Sequence, residues 1–222
     1  MTPTGLLGGS FNPAHRTHRK ISLGAIRALG LDEVWWLVSP GNPLKKGAQD
    51  MAPLAARCAS ASRMARRAPI RPTAIEARLH TRYTIDTLKM LVRRYPRRRF
   101  IWLMGSDNLE QFPRWRDWRG IARTVAIAVV VRQGYDRPTQ AVRAMGWLRR
   151  FVRPAGQAQD WTHWRLPALV LLRFRPDPVS ATRLRATNPR WHADFSNNQA
   201  PRDRVTRRAL PMEDLCPVPP LP

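Results

Sequence analysis

Two histidines stand three residues apart, shortly after a pair of glycines near the start of the chain. The string GGSFNPAHRTH occupies residues 8–18. Glycines let backbone amides approach a phosphate closely, and the N-terminus of a following helix adds positive partial charge. At helical spacing His15 and His18 project to the same side, where each imidazole can donate a hydrogen bond to phosphate oxygens. The pattern predicts a site for a phosphate-bearing ligand.

A second string with polar and cationic side chains lies near the other end, VSATRLR at residues 179–185. Ser180 is a good N-cap residue for a helix, Thr182 supplies a hydroxyl donor, and Arg185 follows on the same helical face. Taken alone, the string is more typical of an ordinary capped helix in an arginine-rich protein than of a binding site.

Three further loops carry candidate binding residues. The turn GSD at residues 105–107 places Asp107 where it can accept from a ribose hydroxyl or serve only as a turn residue, and FPRWRDW follows at 112–118. Because the chain contains nine tryptophans, any single one is more often a core residue than a ring that stacks on a ligand. The remaining two strings are SPGNPLKK at 39–46 and TRYTIDTL at 81–88.

Together these strings resemble the motifs of the nucleotidyltransferase superfamily. The first is similar to Gly-Gly-x-Phe-x-Pro-x-His-x-Gly-His, with Thr17 at the family glycine, and the second to Ile-Ser-x-Thr-x-Ile-Arg. The Gly-x-Asp turn, the Trp-x-x-Trp pair and the 81–88 string resemble the nicotinate-nucleotide adenylyltransferase family. In the 39–46 string Leu44 replaces a family histidine. The resemblance covers about residues 4–185.

The resemblance implies transfer of AMP from ATP to nicotinate mononucleotide, giving nicotinate adenine dinucleotide and pyrophosphate, with Mg²⁺ arriving on ATP and no metal site built from protein ligands. It implies a catalytic role in contacting phosphates for His15, His18 and Arg185. It implies ATP binding by Gly8, Gly9, Ser10, Phe11, Gly105, Asp107, Ser180, Thr182 and Arg185, and nicotinate mononucleotide binding by Asn12, Lys45, Thr84, Trp115 and Arg116.

Other readings stay open at this stage. The first motif also serves adenylyltransferases for nicotinamide mononucleotide or phosphopantetheine, and cytidylyltransferases. The 39 basic residues against 15 acidic ones give a net charge of +24, so the chain could instead be a non-catalytic, basic nucleic-acid-binding protein on the same scaffold. Only four of the basic residues are lysines, and arginine is spread along the whole chain, which predicts no more than generic electrostatic attraction to nucleic acid.

Short apolar runs alternate with amphipathic stretches, which favours a Rossmann-like α/β fold with a parallel sheet and helices on both faces. In such a sheet the chemistry is expected in the loops that follow the strands. One nucleotidyltransferase domain is expected over residues 1–186, with a proline- and asparagine-containing tail over 187–222. The pattern predicts strands at 4–8, 33–39, 70–74, 100–104, 125–131 and 168–174, and helices at 15–29, 54–68, 84–94, 139–152 and from about 180.

The composition excludes several classes of protein. The 43% hydrophobic content is too high for a disordered chain, and the apolar runs at 125–131 and 166–172 are far shorter than the roughly 20 residues of a membrane helix. Two cysteines without metal-ligand spacing and no charged-then-apolar leader favour a reducing cytoplasm. The oligomeric state is left open.

Overall fold

The structure, a computed structural model, describes residues 1–41, 51–132, 143–174, 179–195 and 202–210. Its strands are β1 Thr2–Gly9, β2 Glu33–Val38, β3 Ile70–Thr73, β4 Arg98–Gly105, β5 Ala126–Arg132, β6 Val152–Arg153 and β7 Leu169–Phe174. Its α-helices are α1 Arg16–Leu29, α2 Leu54–Met64, α3 Ile75–Arg78, α4 Thr84–Arg94, α5 Ser106–Gln111, α6 Trp118–Thr124, α7 Met145–Leu148 and α8 Ala181–Thr187. Short 3₁₀ helices cover 112–114, 149–151, 155–163 and 191–195.

The strands form one seven-stranded sheet in the order β3-β2-β1-β4-β5-β7-β6. The β4 strand pairs in parallel with β1 and β5, and β7 pairs in parallel with β5 and β6. All six residues of β2 are buried, which requires cover on both faces of that strand. The predicted α/β class with a Rossmann-like parallel sheet is therefore confirmed.

The chain divides into two compact units. The first contains residues 1–7, 20–34 and 83–177, and the second contains 8–19, 35–82 and 178–222. In the first unit, aliphatic side chains of the central strands β4 and β5 are fully buried, including Ile101, Leu103, Ile127 and Val129. In the second unit, the fully buried large side chains include Phe11, Trp36 and, unusually, the arginine Arg57.

Local sequence explains where several elements begin and end. Gly30, with φ of +60°, follows the last residue of α1, as glycine commonly does after a helix because it adopts the left-handed region without strain. Ser180 precedes α8, and its hydroxyl oxygen accepts from the backbone N–H of Arg183 at 3.3 Å, so the predicted N-cap is confirmed. Asp117 caps α6 in the same way, accepting from the N–H of Gly120 at 3.0 Å.

One predicted helix is wrong. Residues 139–142 of the expected 139–152 helix lie outside the described residues, and the rest forms only the single turn α7, a 3₁₀ turn at 149–151 and the start of β6. The α2 helix also ends at Met64, four residues before the predicted end. In both cases the helical spacing of apolar residues continues where the chain forms turns or a strand.

A segment of the predicted tail packs on the second unit through Asp203, which is 2% exposed. Its carboxylate accepts from the hydroxyl of Thr73 at 2.8 Å and the backbone N–H of Ala74 at 2.9 Å. It also accepts from the N–H groups of Val205 and Thr206 in its own turn. We call residues 202–210 the Asp203 clip. The division into a 1–186 domain and a 187–222 tail stays a prediction.

Candidate active site

The first motif runs from the end of β1 to the start of α1 in the second unit. Gly8 and Gly9 are the last residues of the strand, and the helix begins at Arg16. Phe11 lies between them at φ +47°, in the left-handed region that non-glycine residues rarely adopt. Its buried ring stacks on Trp36 with the ring centroids 5.0 Å apart, which holds this turn in place.

The two histidines of the motif lie together, as the spacing predicted. The ring centroids of His15 and His18 are 3.9 Å apart, and the His18 ring also lies 4.7 Å from that of Phe11. The backbone N–H of His15 donates to Nδ1 of His18 at 3.2 Å, which places the proton of a neutral His18 ring on Nε2.

The pKa of His18 is lowered from 6.5 to about 3, first because the ring is withdrawn from water and second because His15 is close. His18 is therefore neutral at pH 7. In this state it can offer a phosphate one N–H donor, at Nε2.

The last motif meets the first within the second unit. The hydroxyl of Thr17 donates to the backbone carbonyl of Val179 at 2.9 Å, across 162 positions of the chain. A guanidinium nitrogen of Arg185 donates to the backbone carbonyl of Asn12 at 2.7 Å, across 173 positions. Thr17, which replaces the family glycine, thus has a structural task of its own. Ser180 and Thr182 lie between Val179 and Arg185 in the sequence, and both are exposed.

Asn12 is held by the protein itself. Its side-chain oxygen accepts from the backbone N–H of Ala52 at 3.3 Å, and the residue is 3% exposed. Its carbonyl accepts from Arg185 as described, so the expected role of Asn12 in binding nicotinate mononucleotide stays a prediction. Lys45 lies outside the described residues.

The remaining predicted site residues belong to the first unit. Trp115 is half-buried and contacts Phe112 and Trp102 edge to face, with centroids 5.5 and 6.1 Å apart. The guanidinium of Arg116 lies 4.7 Å from the ring centroid of Tyr83 and 4.0 Å from a carboxylate oxygen of Asp86.

Both partners of Arg116 flank the start of α4. Thr84 is the first residue of that helix, directly after Tyr83, so Arg116 lies near its N-terminal end. Asp107 is exposed in the first turn of α5, after Gly105 at the end of β4. The structure therefore brings Arg116 and the start of α4 together, whereas the contact roles of Gly105 and Asp107 stay predictions.

The prediction from sequence missed Arg57, which is 1% exposed on α2. Its guanidinium donates to four backbone carbonyls, two of which belong to Ser10 and Ser39. Nothing in the sequence distinguishes this arginine from its many counterparts.

Two features are absent from the described residues, a cluster of metal ligands and a membrane-spanning helix. No group of three or more His, Cys, Asp or Glu side chains among them could hold a metal ion. No helix within the described ranges is both long and apolar enough to cross a bilayer.

Comparison with known proteins places this architecture in a family. The sequence profile described as cytidylyltransferase-like matches residues 6–187. A relative from Erythrobacter litoralis, named "Probable nicotinate-nucleotide adenylyltransferase", is 58% identical over 207 residues, covering 93% of this chain and 94% of its own. One of the same name from Parvibaculum lavamentivorans is 50% identical, covering 82% of this chain and 90% of its own.

A solved structure shares the fold. It is the Plasmodium falciparum nicotinic acid mononucleotide adenylyltransferase complexed with NaAD, with a TM-score of 0.59, 16% sequence identity, and coverage of 84% of this chain and 83% of that one. The resemblance drawn from the motifs is confirmed by these findings. The chain belongs to the cytidylyltransferase-like family and, within it, to the nicotinate-nucleotide adenylyltransferases.

Proposed function

We propose that this chain transfers the adenylyl group of ATP to nicotinate mononucleotide. The 5′-phosphate oxygen of the mononucleotide attacks the α-phosphorus of ATP. A new P–O bond forms, the bond between the α-phosphorus and its bridging oxygen breaks, and pyrophosphate leaves with the electron pair. The products are nicotinate adenine dinucleotide and pyrophosphate, as the names of the relatives suggest for those proteins.

The observation that carries the proposal is the meeting of the first and last motifs, through Thr17 with Val179 and Arg185 with Asn12. Two short strings separated by more than 160 positions contact each other, which supports a polyphosphate site shared between them. A single glycine-rich turn or a single capped helix would carry much less weight.

The reaction needs no protein base. A phosphate monoester has its second pKa near 6, so the attacking group is already ionised at pH 7. The chain's task is to align the two phosphates and to place donors where negative charge develops. We assign His18, as a neutral donor through Nε2, to the α-phosphate, and His15 to the β/γ end. Arg185 and Ser180 hold the leaving pyrophosphate.

Further donors complete the proposed ATP site. The glycine-rich turn of residues 8–11 offers backbone amides, and the Thr182 hydroxyl adds one more donor in the last motif. Gly105 allows a close backbone approach to the nucleotide, and Asp107 accepts from the ribose.

For nicotinate mononucleotide we assign Trp115 to stacking on the pyridine ring. The positive guanidinium of Arg116 and the N-terminal end of α4 at Thr84 both favour the negatively charged carboxylate of nicotinate. Nicotinamide lacks this charge, so the arrangement supports a preference for the acid. Asn12 and Lys45 are assigned to the same substrate by the motif resemblance alone.

Mg²⁺ is proposed to arrive with ATP, coordinated by phosphate oxygens and water. This assignment fits the absence of a carboxylate or histidine cluster in the described parts of the chain. When bound, the ion would neutralise charge on the phosphates, and every other role above belongs to protein side chains. A cytoplasmic location, proposed from the cysteine content, would give the enzyme access to both nucleotides.

The test is pyrophosphate release by the purified protein with ATP and Mg²⁺, offered nicotinate mononucleotide, nicotinamide mononucleotide or phosphopantetheine. We expect turnover that strongly favours nicotinate mononucleotide. Preferred turnover of either other acceptor would overturn the substrate assignment. A folded protein that turns over none of them, and binds oligonucleotides more strongly than ATP, would support the non-catalytic alternative.

A matched pair of variants tests the phosphate-contacting role of His18. His18→Ala is expected to lower kcat about 100-fold, the usual effect of removing one transition-state donor. His163→Ala changes an exposed histidine of the first unit and is expected to leave kcat unchanged. If both variants keep wild-type kcat, His18 does not contact the reacting phosphate.

A further inference from the structure

Arg57 is a buried cation whose hydrogen-bonding groups face the backbone. Its Nε donates to the carbonyl of Ala52 at 2.8 Å, and Nη1 donates to the carbonyls of Ser10 at 2.8 Å and Ser39 at 2.6 Å. Nη2 donates to the carbonyl of Pro40 at 3.4 Å. Burying a guanidinium is costly unless its donors are satisfied, so this cluster is a specific arrangement and not incidental packing.

The carbonyls gathered by Arg57 come from two loops that follow neighbouring strands. Ser10 comes directly after β1, and Ser39 directly after β2. The two loops are also joined by the backbone N–H of Ser39, which donates to the carbonyl of Gly9 at 3.0 Å. Loops after parallel strands are where ligands of such sheets bind. Arg57 therefore fixes the backbone of the glycine-rich turn from the side of the protein interior.

Because the peptide group is planar, the hydrogen bond from Arg57 to the Ser10 carbonyl also fixes the direction of the next backbone N–H. The carbonyl of Ser10 and the N–H of Phe11 belong to one trans peptide and point in opposite directions. Because the carbonyl is held by Arg57, the Phe11 N–H points away from Arg57. Within the described ranges no acceptor bonds this N–H, although Phe11 is 1% exposed.

Phe11 also needs to be held in its conformation. A left-handed φ is unfavourable for a non-glycine residue, so the turn would relax if its neighbours did not restrain it. The restraints on either side are two arginines, Arg57 on the carbonyl of Ser10 and Arg185 on the carbonyl of Asn12.

We propose that Arg57 is a positioning residue for ATP binding: by holding the carbonyls of Ser10 and Ser39, it directs the N–H of Phe11 to a phosphate oxygen of the nucleotide. This inference rests on the proposed function, which makes ATP the ligand of the turn. Arg57 acts only through the backbone and touches neither substrate.

The direct readout is the amide resonance of Phe11. The chain contains six phenylalanines, so ¹⁵N-phenylalanine labelling gives six amide signals, and Phe11→Tyr identifies the one from Phe11. In the wild type we expect this signal to shift when ATP and Mg²⁺ are added. The absence of any shift at saturating ATP would overturn the proposal, whatever the variants do.

Two substitutions and one control separate positioning from stability. Arg57→Met keeps most of the side-chain volume but removes all donors, and is expected to displace the Phe11 signal before ATP is added and to weaken ATP binding about tenfold or more. Arg57→Lys keeps the charge and part of the hydrogen bonding, and should bind ATP with intermediate affinity. The control is Asp203→Ala, which destabilises the same unit by removing the hydrogen bonds of Asp203 to Thr73 and Ala74. Neither of these residues belongs to the two loops that Arg57 holds.

The control must lower the melting temperature while leaving the dissociation constant of ATP, measured by calorimetry, within about twofold of the wild-type value. A folded Arg57→Met protein with wild-type ATP affinity would overturn the proposal, as would an equal loss of affinity in Asp203→Ala. If Arg57→Met does not fold, Arg57→Lys provides the same comparison. Wild-type protein that binds ATP but does not turn over nicotinate mononucleotide would refute the proposed function and leave the Arg57 test intact.

Discussion

The neutral state of His18 gives the fold a measurable dependence on pH. The perturbation is His18→Gln, which places an amide nitrogen near the position of the imidazole Nε2 and does not titrate. In the folded wild type the pKa of His18 is about 3, because the ring is buried and His15 is near. In the unfolded chain we take the usual histidine value of 6.5. Between these two pKa values the unfolded chain therefore binds a proton at His18 that the folded protein does not bind.

The sign and size follow from proton linkage. Between pH 6.5 and 3 only the unfolded state holds the extra proton, so the stabilising contribution is complete above pH 6.5 and is lost as the pH falls. The slope is about 1.4 kcal/mol per pH unit in this window. From pH 7.5 to pH 5.0, the wild type is expected to lose about 2 kcal/mol of unfolding free energy more than His18→Gln.

The assay is urea unfolding followed by tryptophan fluorescence at several pH values between 7.5 and 5.0. His163→Gln serves as a control, because it removes an exposed histidine and is expected to follow the wild-type curve. Groups that are common to the wild type and His18→Gln and do not interact with His18 cancel in the difference between their curves. Parallel curves for the wild type and His18→Gln would refute the reasoning, since they would mean that His18 takes up its proton in the folded state.

Three further predictions concern residues in both units. Thr17→Val removes the hydroxyl that reaches Val179 and is expected to lower the unfolding free energy by about 1 kcal/mol in urea titrations; an unchanged midpoint would contradict this. Trp115→Ala is expected to raise KM for nicotinate mononucleotide about 10-fold or more in steady-state assays while leaving KM for ATP nearly unchanged, because only the pyridine ring loses its stacking partner; equal effects on both would mark Trp115 as core. Asp203→Ala leaves buried donors at Thr73 unpaired and should cost about 2 kcal/mol or more in calorimetric unfolding, and a wild-type melting curve would show that the clip is dispensable.

Much of the sheet could be predicted because its strands are buried on both faces. A continuous apolar run such as residues 125–131 is typical of a strand that is buried on both faces. The β5 strand covers almost the same range. The helices were harder to delimit, because their ends depend on contacts that spacing does not encode. The 139–152 stretch carries helical periodicity, yet its described part is mostly short turns.

The candidate site divides in the same way. His15 and His18 could be paired from the sequence because their separation is set by one helical turn. The contact of Arg185 with the Asn12 carbonyl could not be predicted, because it depends on how distant segments meet. Arg57 was hidden for another reason. The chain has 39 basic residues, and among the arginines that the structure describes only Arg57 is buried; burial is a property of the fold.

The Asp203 clip has a consequence for how the second unit forms. Asp203 reaches back 130 positions to Thr73 and 129 positions to Ala74. The chain must therefore be synthesised through Asp203 before these partners can meet. Contacts of such long sequence separation give a high contact order, which slows folding and prolongs the exposure of unfinished surfaces. We expect the second unit to complete its folding only once residues 202–210 have been synthesised, whereas the β4–β5 pairing of the first unit joins strands close in the sequence and can form earlier.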